Sequence, residues 1–195
     1  MSRRGSYRGT TEKRARIVAA AFAEFSSGSY ESVSLRSIAA AAQMSHPGLL
    51  HHFPTKQALL EAVLTAHEEA DQRAFAEHPT PTTAAGLADV MAAAVAVDRR
   101  ERELVQLRAR LGVAGADPEH PAHEFAVRRY ERLAAQTTQT IAALPAGEVA
   151  ADLQAEEAAT ILLAAIEGLL VRGLTDPALD VPALVRLAVL RILGR

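Results

Sequence analysis

Histidines, carboxylates and a few cations are the side chains through which this chain could do chemistry, since it holds no cysteine. That absence removes disulfides and thiolate metal sites. His46, His51 and His52 are close in sequence, but none has a partner at i, i+4, and adjacent histidines on a helix point apart, so they do not converge on a metal. His120 and His123 are spaced i, i+3 beside Glu119 and Glu124, which could ligate a metal, but the intervening Pro121 suits capping or exposure better. His67 with Glu68, Glu69 and Asp71 reads as a solvated helix face. There is no Gly-rich phosphate loop after a strand, no HExxH and no nucleophile elbow. The expectation is no enzyme, no metal and no cofactor. What remains is cationic, with Arg36 and Lys56 as the candidates. Both fall in residues 34–56, SLRSIAAAAQMSHPGLLHHFPTK.

The spacing of that segment predicts the elements that position them. Leu35, Ile38, Ala39 and Ala42 recur at i, i+3, i+4 and i+7, one apolar face of a helix. Ser34 stands at its N-cap position. Gln43 and Met44 break the pattern. Ser45 can cap a second helix, and Pro47 falls in its first turn, where a missing N–H does no harm. Leu49 and Phe53 point inward, leaving His46, Gly48 and His52 outward. Pro54 stops this helix and Thr55 caps the next. Two helices at a tight turn, the second with a small or polar outer face, form the layout of a DNA-reading helix-turn-helix.

Charge agrees with this. Residues 1–60 hold eight Arg and Lys against three Asp and Glu, a net +5, whereas the remainder holds thirteen against twenty, a net −7. A basic head on an acidic body suits a polyanion partner. With 49% apolar residues and no Trp in 195, the core is expected to be helices packed by Ala, Leu, Val and Ile. The longest apolar run, Val90 to Val97, is far short of a membrane span. Arg3, Arg4 and Arg8 have no apolar segment behind them, so no secretory signal is read there. A cytoplasmic location is expected.

Along the chain, residues 1–9 read as a flexible arm suited to a minor groove. A helix follows from about Thr11 to Ser27, with Val18, Phe22 and Phe25 as its inner stripe. Tyr30 and Val33 lie in the connection. A helix from Thr55 to about Glu77 buries Leu59, Leu60, Val63 and Leu64, and HPTPTT is a loop. Further helices are predicted at about 83–98, 101–113, 119–143, 154–173 and 181–193. No stretch alternates with period two, so no sheet is expected. The fold class is all-α: a helix-turn-helix domain over 1–60, and a larger helical domain over 61–195.

The stretch from Thr11 to Leu64, with FSSGSYESVS, LRSIAAAAQMS and HPGLLHHFPTKQALLEAVL, resembles the TetR family of bacterial transcription regulators. The remaining residues match only by helix count and order. The resemblance implies base-edge contacts from His46, Pro47, Gly48 and Arg36. Phosphates would be held by Ser34, His52 and Lys56, with Ser45, His51 and Thr55 along the same edge and the N-terminus of the fourth helix assisting. Two positions depart from the family's pattern. Gln43 stands where Gly is usual, so it must tolerate a left-handed conformation. Leu50 replaces the usual Tyr, deleting a phosphate-gripping hydroxyl for which His51 and His52 could compensate.

The resemblance also implies a homodimer. Ile161, Leu162, Ala165, Gly168 and Leu169 on one helix and Leu184, Leu187, Ala188 and Ile192 on the last would join their copies in a four-helix bundle. Pocket candidates are Met91, Leu104, Leu107, Phe125 and Tyr130, with Arg108 and His123 as polar anchors. The function expected is a regulator, a repressor by family default, that binds a palindromic operator as a homodimer and is released by a small molecule. The rival is a helical protein-interaction module whose helix-turn-helix has lost DNA binding.

Overall fold

The computed structural model describes the backbone of residues 3–100 and 102–194, and side chains over 10–96 and 102–194. Among the described residues there are nine helices and no strand: α1 (Arg3–Ser27), α2 (Leu35–Ala41), α3 (His46–His52), α4 (Lys56–Ala76), α5 (Ala84–Arg100), α6 (Arg102–Ala114), α7 (His123–Ala142), α8 (Ala155–Thr175) and α9 (Val181–Ile192). They form two compact units, Met1–Ala70 and Asp71–Arg195. The division falls inside α4, about ten residues beyond the expected boundary, because Leu59, Leu60, Val63 and Leu64 are all buried with the first unit.

In the first unit, Ile17, Ala21 and Phe25 of α1 pack in the core with Ile38, Ala39 and Ala42, with Leu49 and Phe53, and with the buried face of α4. The stripe of α1 is thus rotated from the expected one: Val18 and Phe22 flank it, half-buried. The helix also begins at Arg3, where a flexible arm was expected. Propagating an existing helix adds one hydrogen bond per residue fixed and needs no new nucleus, so α1 extends without an apolar face. Met1 and Ser2 lie outside the described residues.

The turn between α2 and α3 depends on Gln43, whose φ is +55°. Its N–H donates to Ala40 O at 3.0 Å, and that of Met44 to Ala39 O at 3.0 Å. A left-handed conformation brings Cβ against the carbonyl and costs an L-residue about 1–2 kcal/mol. The Gln43 side chain is exposed, so burial does not offset that cost. Gln43→Gly is therefore expected to stabilise the first unit by about 1 kcal/mol, read as a higher urea midpoint at unchanged m. A lower midpoint would show that the Gln43 side chain makes a contact worth more than the strain.

The second unit is built on α5, α8 and α9. Leu87, Ala88, Met91 and Val95 interlock with Ala158, Ala159 and Leu162 and with Val181, Val185 and Val189. Arg186 Nε on α9 donates to Asp89 Oδ1 on α5 at 2.7 Å, and Asp180 caps α9 by accepting from Ala183 N–H at 3.1 Å. Helix α7 starts at His123 rather than near 119. The preceding residues are spent on a turn in which His120 Nδ1 accepts from Ala122 N–H at 3.1 Å.

Candidate nucleic-acid interface and ligand cavity

Local hydrogen bonds build the reading edge of the first unit. Ser34 Oγ accepts from Ser37 N–H at 3.0 Å, Ser45 Oγ from Gly48 N–H at 3.2 Å and Thr55 Oγ1 from Ala58 N–H at 3.0 Å. Each satisfies an orphan donor at the start of its helix. Leu49 and Phe53 are buried, which turns the rest of α3 outward: Pro47 and His51 are exposed, and His46, Gly48, Leu50 and His52 are half-buried. A Cβ at Gly48 would lie 3.0 Å from Ser45 Oγ, so glycine keeps the cap seated and the outer face low. Arg36 on α2 is exposed. Two helix starts and a guanidinium thus face solvent along one chain segment, an arrangement that can offer hydrogen bonds to phosphates and a planar fork to a base edge.

Lys56 is placed differently from the expectation. Its Nζ donates to Tyr30 O at 2.6 Å and Val33 O at 3.0 Å, with Glu31 O at 3.4 Å, and stands 4.3 Å from the centroid of the Tyr30 ring. An ammonium has three donors, and these carbonyls take them, so the charge anchors the α1–α2 connection rather than reaching for a phosphate. The Tyr30 hydroxyl is raised above its ordinary pKa by burial and then by Glu31. Lys56→Met is expected to destabilise the first unit by about 1–3 kcal/mol, the cost of orphaned carbonyls. The slope of log K against log[salt] for DNA should change by well under the ~0.9 expected of a lost phosphate contact. A full unit change in slope at unaltered stability would restore the phosphate role.

Arg14 is a member of this unit that sequence reasoning missed. Its guanidinium lies 4.2 Å from the centroid of the Phe53 ring, and its Nη1 donates to His52 O at 3.4 Å, so α1 holds the C-terminal end of α3. Its i−3 and i−11 relation to Ile17 and Phe25 gave a faint signal: Arg14 extends the buried side of α1.

In the second unit a cavity of about 210 Å3 lies among the end of α4 (Asp71, Phe75), α5 (Leu87, Met91), α7 and α8 (Leu163, Ile166). Helix α7 contributes Arg129, Arg132, Leu133, Gln136, Thr137 and Thr140, one face by the i, i+3, i+4 rule. Of the pocket residues expected from sequence, Met91 is on this wall. Leu104 and Leu107 are buried in the core. Phe125 is half-buried and away from the wall. His123 turns its Nδ1–H to Gly115 O at 2.7 Å. Tyr130 lies one residue past the wall-lining Arg129, 41% exposed, its hydroxyl 3.4 Å from Glu167 Oε2. Burial, and next the charge of Glu167, raises its pKa. Arg108 stands behind the wall, ion-paired to Asp71. The polar face of α7 was missed because apolar candidates were favoured, although its spacing was readable.

The outer faces of α8 and α9 are apolar and open. Ile161 is 50% exposed, Val171 45% and Leu187 48%. Ala165, Leu169, Leu184, Ala188 and Ile192 are half-buried, and a Cβ on Gly168 would meet nothing within 4 Å. Leu162 is the exception: at 0% exposure it belongs to its own core, being one residue round the helix from Ile161. By length and composition α8 could also cross a membrane, with 22% of its most apolar window buried.

Residues 17–63 match the model of the bacterial regulatory proteins of the tetR family. No match is found among curated proteins. Among solved structures, Salmonella enterica GusR is 26% identical, with 94% of this chain and 96% of that chain covered and a TM-score of 0.77. A TetR-family transcriptional regulator from Rhodococcus sp. is 20% identical over 94% and 100% of the two chains, with a TM-score of 0.78. A transcriptional regulator from Saccharomonospora viridis, solved in complex with choline, is 22% identical over 92% and 94%, with a TM-score of 0.74. The last two carry the fold alone.

Proposed function

Since this chain carries the N-terminal domain of the TetR family of transcriptional regulators on a TetR-like fold, we propose that it is a cytoplasmic, ligand-responsive repressor. It binds a palindromic operator as a homodimer and leaves it when a small molecule occupies the second unit. One observation carries the reading: a helix-turn-helix whose buried residues leave α3 and Arg36 outward is joined in one chain to a unit with an apolar cavity. His46, Pro47, Gly48 and Arg36 would meet base edges. Ser34, Ser45, His51, His52 and Thr55 would lie along the phosphates.

The open apolar faces of α8 and α9 support the dimer, whose two-fold axis would match that of the operator. The choline complex of the Saccharomonospora viridis neighbour supports a small organic effector on this fold. Release requires that the effector bind a DNA-incompetent state more tightly than the competent one.

The test is selection from random double-stranded DNA with the purified chain at near-physiological salt. Enrichment of a palindrome is the expected outcome. Salt-sensitive retention with no enriched sequence would favour the interaction-module reading instead. Against the selected site, Arg36→Ala is expected to relax preference at one base pair per half-site, costing about 1–3 kcal/mol. A sequence-blind loss would remove Arg36 from base readout.

A further inference from the structure

We infer that the cavity of the second unit takes a small uncharged molecule, an apolar body with one hydroxyl or carbonyl received by Thr137 and Gln136 on α7; this rests on reading the cavity as the effector site. The deciding residue is Thr137. It lines the cavity and is only 7% exposed, yet its hydroxyl has no hydrogen-bond partner among the described residues. A threonine inside a helix can turn its Oγ1 to the carbonyl three or four residues back. Thr140 does so to Gln136 O at 2.8 Å, and Thr160 to Glu156 O at 2.9 Å. Thr137 leaves the Leu133 carbonyl alone. Its oxygen is not sealed in the packing, so the little surface it exposes opens on the cavity. A hydroxyl taken from bulk water without a partner is costly, and a ligand oxygen supplies the partner. Gln136, also on the wall, commits its side-chain amide to no other described residue. The amide offers two donors and an acceptor, and the hydroxyl one donor and two lone pairs.

Volume sets the size. An apolar cavity of ~150 Å3 holds benzene, so 210 Å3 leaves room for about eight non-hydrogen atoms. Leu87, Met91, Leu163 and Ile166 on the wall call for an apolar body.

The charged groups of the wall select against ions. Two guanidiniums, Arg129 and Arg132, stand with two carboxylates, Asp71 and Glu167, so their charges cancel in sum. Arg129 lies 3.9 Å from the Asp71 oxygen that Arg108 also pairs, and Arg132 has an interaction partner of its own within the chain. An anion would have to compete with these contacts. An ammonium could meet Glu167 without displacing a guanidinium, but Glu167 is exposed. A solvated ion pair adds at most about fivefold to affinity. Stripping an ammonium of water against an apolar wall costs more than that. An uncharged ligand carries neither cost.

The test is calorimetric titration of the full-length protein with benzyl alcohol, toluene, benzylamine and benzoate, which share a ring of the right size and differ in the head group. At neutral pH benzylamine is a cation and benzoate an anion. Benzyl alcohol is expected to bind at least tenfold more tightly than either ion. Thr137→Val keeps the β-branched shape and deletes the hydroxyl. It should lower the affinity for benzyl alcohol about threefold to tenfold, the worth of one hydrogen bond, and leave toluene within twofold. Without ligand it should melt no lower than the parent, since no bond within the protein is lost. Gln136→Met should weaken benzyl alcohol in the same direction. A lowered midpoint for Thr137→Val would show that the hydroxyl already serves the fold, and would overturn the inference. Equal effects of that variant on benzyl alcohol and toluene, tighter binding of either ion, or no binding of any probe would overturn it too. Benzyl alcohol that binds as expected yet leaves operator retention unchanged would sink the effector reading alone.

Discussion

Gly168→Arg is expected to yield a subunit that no longer pairs and that holds the operator at least ~100-fold more weakly. The size follows from linkage: two heads on one dimer bind as a unit, and losing the second forfeits an effective-concentration gain of about 10²–10⁴. The substitution separates interface from core. Nothing within its own subunit lies within 4 Å of a Cβ at Gly168, so Arg disturbs no packing there. Ile161 and Val171, one turn or two away on α8, are about half exposed, and Leu187 of α9 is similarly open. A second α8 laid over Gly168 would meet a charged side chain of full length. Sedimentation would report the oligomeric state, far-ultraviolet dichroism the helix content, and DNA retention the affinity. A dimer that persists with undiminished operator binding would place the interface elsewhere.

Phe53→Ala is expected to abolish operator binding through the stability of the first unit. Phe53 is 1% exposed and carries the Arg14 guanidinium over its ring. Truncating a buried Phe costs about 3–5 kcal/mol. A unit of some 70 residues, at ~0.05–0.15 kcal/mol per residue, has only about 4–10 kcal/mol in total. The variant should therefore melt in two steps, the first lowered by tens of degrees and the second unchanged. Ligand binding in the second unit should survive, as its cavity walls lie entirely within Asp71–Arg195. A single transition at the original temperature would mean that Phe53 packs loosely, and its burial would need another account.

Much of the reading head was legible because its causes are local. Ser34, Ser45 and Thr55 cap helices through bonds to N–H groups three residues on. The inward positions of Leu49 and Phe53 follow from a 3.6-residue period. The strained turn at Gln43, whose φ is positive, was legible only through the family resemblance, in which Gly is usual at that position. The family resemblance then turned that geometry into an expectation about DNA.

The misplaced residues share a different cause. Lys56 lies 26 residues from Tyr30, whose carbonyl it holds, and Arg14 lies 38 from His52. Neither distance is encoded in spacing. Leu162 and Ile161 are adjacent and equally apolar, yet the first is buried and the second half exposed, since only the packing of α8 against α5 and α9 decides which side of the helix meets its own core. The cavity is the extreme case. Asp71, Arg108 and Arg129 come from α4, α6 and α7, and each alone reads as an ordinary surface charge. By itself the sequence determined helix content, caps, turn and the family of the reading head, because those follow from hydrogen bonds and periodicity within a few residues. Which side chains meet around the cavity, and which apolar faces remain open, was decided by tertiary structure, because a charge's partners and a helix's neighbours come from segments far apart in the chain.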